Sequence, residues 1–159
     1  MDYKELVEMW GEGRKKWQEY SWAVGGVAAF ILQGFMSRLN ISDERIIRLF
    51  PESEVDEQKI NNTMYAPYAC VEFKDNGWST VGLVILLEKN KQSWPKSNYK
   101  FYIKIKRLQD GKWNVELTED GKIFTISENF LEEEIDPIFE EFIDVLKYNT
   151  INQLDNWLK

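Results

Sequence analysis

The clearest pattern in the chain is the alternation of residues 99–108. Tyr99, Phe101, Ile103 and Ile105 fall on one side, and Lys100, Tyr102, Lys104 and Lys106 on the other. A period of two predicts a β-strand with one face toward a core and one toward solvent. Val81–Leu87 is apolar at almost every position, which is the pattern of a central strand. Residues 67–74 alternate as well, with Ala69, Val71 and Phe73 opposed to Tyr68, Cys70 and Glu72, and predict a further strand. Trp113, Val115 and Leu117 begin a fourth, and Ile123–Ile126 form a short fifth.

The turns between these runs fix the register. Asp75-Asn76-Gly77 is a hairpin signal, since Asn and Gly tolerate positive φ. Gln109-Asp110-Gly111-Lys112 and Glu119-Asp120-Gly121-Lys122 both suit a three-residue loop with glycine in the left-handed position. That loop places Ile105 opposite Val115 and Lys104 opposite Glu116. A two-residue loop would set Lys106 against Val115 instead.

The flanking segments follow a helical period. Tyr3, Leu6, Val7, Met9, Trp10, Trp17 and Tyr20 predict a helix weakened at Gly11 and Gly13, where it breaks or gives way to a turn carrying Arg14-Lys15-Lys16. Residues 22–39 are apolar nearly all round and predict the most buried helix. Its Gly25-Gly26 and Ala28-Ala29 make one stretch thin enough for another backbone to come close. Ser42, with Asp43 and Glu44, predicts a short helix over 43–50, ended by Pro51, and Ser53 with Asp56 is expected to cap one more turn before Asn61-Asn62. Toward the C-terminus, Asp136-Pro137 reads as N-cap and first helical position. Phe139, Phe142, Ile143 and Leu146 then form one stripe.

Runs of one element type predict an α+β fold. It comprises N-terminal helices, a five-stranded antiparallel meander, and a long C-terminal helix packed on one sheet face. The 159 residues suit a single domain, helical over 3–60, sheet over 67–126 and helical over 128–158.

Composition narrows the chemistry. There is no histidine, so the commonest general base and metal ligand is missing. The lone cysteine, Cys70, can form no internal disulfide, and a strand lacks the histidine or helix N-terminus that would activate a thiol. The first apolar run, Trp22–Met36, is about fifteen residues, short of the ~20 that span a bilayer. A cytoplasmic location without a membrane span is therefore expected.

Charge is sorted along the chain. Residues 89–112 carry eight Lys/Arg and one Asp, while 128–144 carry eight Asp/Glu and no base. The acidic block predicts a solvated helix face, since a helix alone cannot surround a cation. No metal or other cofactor is expected. The basic block holds the candidate binding residues: Lys100, Tyr102, Lys104 and Lys106 on one strand face, and Trp94 in the preceding loop. Cations interleaved with aromatic rings suit an acidic protein surface or single-stranded nucleic acid. A net charge of −7 repels phosphate and favours a protein partner. The sequence thus predicts a non-enzymatic binding protein, an accessory, inhibitor or immunity-type factor. A ligand or enzymatic pocket between the sheet and the C-terminal helix is one alternative, and nucleic-acid binding on the lysine face is the other. Partner identity and oligomeric state are not encoded in any motif.

Overall fold

Apolar strands that alternate or run continuously need a cover on the core face, and two long helices supply it. The computed structural model describes residues 1–87, 97–117 and 121–158, with the side chains of 97 and 150–158 outside that description. Helix α1 spans Tyr3–Leu39, strand β1 Ile47–Phe50, helix α2 Glu57–Asn62 and strand β2 Glu72–Phe73. Strands β3 (Trp78–Leu87), β4 (Ser97–Arg107), β5 (Trp113–Glu116) and β6 (Ile123–Ile126) follow, and helix α3 spans Ile135–Leu158. The fold is α+β, an antiparallel sheet between long terminal helices, as the element order predicts.

The sheet order is β1-β3-β4-β5-β6, with β2 also paired to β3. Ile105 lies opposite Val115 and Lys104 opposite Glu116, the register of the three-residue loop. Gly111 takes φ +86° there, and Leu108 N–H donates to the Lys112 carbonyl at 2.8 Å. The second such loop begins at Glu119 and Asp120, which lie outside the described residues. One sheet face carries Leu49, Val81, Leu83, Phe101, Ile103 and Val115 into the core. There they meet Val24, Val27, Ile31 and Phe35 of α1, and Ile138 and Phe142 of α3. Arg38, near the end of α1, joins the start of α3 by an ion pair to Asp136 at 2.7 Å and a hydrogen bond to the Glu132 carbonyl at 3.0 Å.

Three local expectations are corrected. Gly11 and Gly13 do not break the helix: α1 runs unbroken for 37 residues, about 55 Å at 1.5 Å per residue. Two glycines cost about 2 kcal/mol in helix propensity. Against that stand the Asp2–Glu5 capping box at one end and a buried anchor from Val24 to Met36 at the other. Residues 43–50 do not form a helix. The Asp43 carboxylate accepts the Arg45 N–H at 2.9 Å in a local turn, and Ile47–Phe50 pairs with β3. A central strand apolar on both faces needs its edge filled, and four buried residues gain more there than in an exposed helix. Residues 67–74 are a strand only at Glu72–Phe73, because Pro67–Cys70 winds into a 3₁₀ turn against α1. Cys70 accordingly faces the core, not solvent, and burial pushes its thiol up to about 12. Helix α3 also starts two residues before Pro137, at Ile135, so Asp136 lies in its first turn and not at its N-cap.

Candidate functional site

The second sheet face holds the residues that the charge pattern singles out. Lys100, Tyr102, Lys104 and Lys106 do share this face, beside Val84, Gly82, Thr80 and Trp78 of β3. Phe50 crosses onto it because Gly82 lacks a side chain: a Cβ there would lie 2.7 Å from the Phe50 ring. The Tyr102 ring stands edge-on to Phe50 at 6.1 Å and remains partly exposed. Trp94, with Lys89, Lys91 and Lys96, lies outside the described residues.

The lysines do not form a free positive ridge. Lys100 pairs with Glu57 at the first turn of α2. Lys104 lies 4.0 Å from the buried Glu116 carboxylate and sits over the Trp78 ring at 5.2 Å. Lys106 covers the same ring from 5.8 Å. Lys74 adds a further cation and is held by Glu52 at 3.1 Å and Glu72 at 3.7 Å. Lys100, Lys104 and Lys74 thus each have a carboxylate beside them among the described residues, which reduces the field outside the face, while Lys106 and the buried Arg48 do not.

Helix α2 covers one end of this face. Asp56 caps it by accepting from Gln58 and Lys59 N–H, and Ile60 packs on Phe50 and Val84. Asn98 reaches across to Asn61 at 2.9 Å. Beneath it lies Arg48, 8% exposed, whose Nε has no partner among the described residues and whose Nη2 donates to Asn61 Oδ1 at 3.4 Å. Burial lowers the Arg48 pKa.

The carboxylates around α2 titrate low. The Lys100 ammonium holds Glu57 below its ordinary value against a burial effect that raises it. Lys59 does the same for Glu54. A folded-state pKa that is depressed stabilises the fold above the unfolded value of 4.5, and the contribution fades as pH falls through the depressed values. Amide protection factors in α2 are therefore expected to drop below pH 4.5 while those of Val81–Ile85 hold. Equal loss in both segments, measured by hydrogen exchange, would contradict this.

The other surface is one that neither the strand alternation nor the charge blocks single out. From Tyr3 to Lys16, α1 leaves the body, and no residue there is buried. Trp10 is 61% and Trp17 58% exposed, and Tyr3, Leu6, Val7 and Met9 are exposed too. Trp17 marks the foot, where its ring meets Phe73 edge-on at 4.6 Å. The missed signal is a seven-residue repeat. Tyr3, Trp10, Trp17, Val24 and Ile31 follow one another at that interval, as do Leu6, Gly13, Tyr20, Val27 and Gly34. A straight helix drifts by ~20° per heptad, so the stripe winds slowly round α1. Its second half builds the core, and its first half faces solvent. An 18-residue window of α1 is apolar enough, by composition, to cross a membrane, and 39% of that window is buried inside the fold.

Among the described residues no group of three or more His, Cys, Asp or Glu could hold a metal ion. No protein-family model, no curated protein and no solved structure matches this chain.

Proposed function

We propose that this chain is a binding protein and that the solvent-facing half of α1, not the lysine face, is the element that engages another polypeptide. One observation carries the reading: six large apolar residues from Tyr3 to Trp17 are exposed, and of these only Trp17, at the foot, meets a ring of the body among the described residues. A helix of this length without a packed face is marginal in water, and contiguous exposed apolar surface marks a contact site. Tryptophan and tyrosine are also the residues that anchor protein interfaces. An accessory, inhibitor or immunity-type role needs only such a surface, with no catalytic group. The neutralised lysines weigh against nucleic acid, whose binding needs net positive charge along a groove.

A photo-crosslinking residue at position 10 tests the reading in cells that produce the protein. The expected result is a covalent adduct with a polypeptide, which Leu6→Ser with Trp17→Ser abolishes while the circular dichroism of the body is retained. Absence of any polypeptide adduct, including one with another copy of this chain, would remove the basis for the proposal.

A further inference from the structure

We infer that the occupant of this face is a second copy of the same chain, its α1 segment 3–20 lying antiparallel. The inference rests on the proposed protein-binding role of this helix half and names the partner. Three observations on the page favour it.

Among the described residues of one copy, nothing packs against Gly13. It lies in the helix with nothing within 4 Å of where a Cβ would be. Glycine costs about 1 kcal/mol there relative to alanine. It occupies a stripe position between Trp10 and Trp17, a gap flanked by two indoles. An antiparallel pair in which Trp10 of each copy enters the Gly13 gap of the other fills both gaps at once. The same register sets Leu6 against Trp17 and Tyr3 against Tyr20, twice over, as a two-fold interface requires.

The charges agree with that direction. Asp2, Glu5, Glu8 and Glu12, with Lys4, precede Arg14, Lys15 and Lys16. Antiparallel pairing lays the acidic end of one copy along the basic end of the other, and parallel pairing lays like on like. Over residues 2–19 there are five acids and four bases, so nothing in this segment favours an anionic lipid surface.

A receptor for the partner's end is already present. A groove of about 380 Å³ lies at the foot of the helix, lined by Trp17, Tyr20, Phe73 and Trp78 and flanked by Lys16 and Lys74. The register delivers the other copy's Tyr3 to this groove, with its Asp2 and Glu5 beside the lysines. Aromatic side chains bury about 150–250 Å² each. With 81, 61, 58 and 47% of Tyr3, Trp10, Trp17 and Leu6 still exposed, these four supply on the order of 400–500 Å² per copy. Val7, Met9 and the stems of the flanking charged residues supply the remainder of the ~800 Å² of a stable interface.

Sedimentation equilibrium of the full chain is the test. A dimer is expected at micromolar concentration. Leu6→Glu and Trp10→Glu, both remote from the body, are each expected to weaken it by at least about thirty-fold, the scale of an interface hot spot. Gly13→Ile should do the same while helix content is kept. Nitroxide labels at Lys4→Cys fix the orientation: fifteen residues of rise separate them by about 22 Å along an antiparallel pair, whereas a parallel pair brings them side by side. A monomer up to ~100 μM, a dimer indifferent to Trp10→Glu, or labels side by side would each overturn the inference. So would a monomer that binds phosphatidylcholine vesicles through this face. If the chain stays monomeric while position 10 crosslinks to a different polypeptide, the pairing fails and the binding role stands.

Discussion

Phe142→Ala is expected to lower the unfolding free energy by about 3–5 kcal/mol, as for other buried aromatic truncations. Phe142 is fully buried in α3. Its ring stacks on Phe35 of α1 at 4.5 Å and leans on Phe101 of β4 at 4.8 Å. One side chain thus joins both terminal helices to the sheet, and no neighbour can collapse into the space without leaving another contact. A domain of this size is typically stable by about 5–15 kcal/mol, so the loss is a large share of the total. Urea denaturation followed by tryptophan fluorescence measures it. The matched control is Trp10→Ala, where the ring is exposed and the monomer should change by about 0.5 kcal/mol or less. A loss under 1 kcal/mol at Phe142 would mean that α3 does not hold the core as described.

Alanine at Gly25 and at Gly26 should have opposite effects, although the two residues are adjacent in one helix. A Cβ at Gly25 would lie 2.8 Å from the Tyr68 nitrogen and 3.0 Å from the Pro67 carbonyl carbon, both of them backbone atoms. Backbone cannot rotate aside, so Gly25→Ala must push the 3₁₀ turn off α1, at a cost of about 1–3 kcal/mol. A Cβ at Gly26 meets nothing within 4 Å. Gly26→Ala then gains about 0.5–1 kcal/mol of helix propensity and lost unfolded-state freedom. Thermal melts of the two variants should fall on opposite sides of the parent. Two shifts of the same sign would refute the close approach at Gly25.

The same glycine pair shows what kind of information a single sequence holds. A thin stretch of helix is visible in Gly25-Gly26, and so is the implication that some backbone comes near. Which backbone is not visible, because Pro67–Tyr68 lies some forty residues away. Residues 43–50 illustrate the reverse case. Ser42, Asp43 and Glu44 are sound local reasons for a helix start, and they lost to the open edge of β3. Gly11 and Gly13 likewise argue locally for a break, and the anchored second half of α1 overrides them. The lysine face was legible residue by residue, since alternation places Lys100, Tyr102, Lys104 and Lys106 together. Its neutralisation was only partly legible. The Lys104–Glu116 pair follows from loop register, whereas Glu57 reaches Lys100 only because α2 folds back over the sheet.

Short-range periodicity and turn chemistry therefore determined the class of the fold, the strands from Trp78 onward and the register of β4 with β5. These depend on residues near one another in the chain, where sterics and hydrogen bonding act directly. The partner of a strand edge, the neutral lysine face and the exposure of Trp10 were decided by tertiary structure alone. An apolar stripe reads the same whether a sheet covers it or water does, and only the folded chain shows that the sheet ends before the stripe.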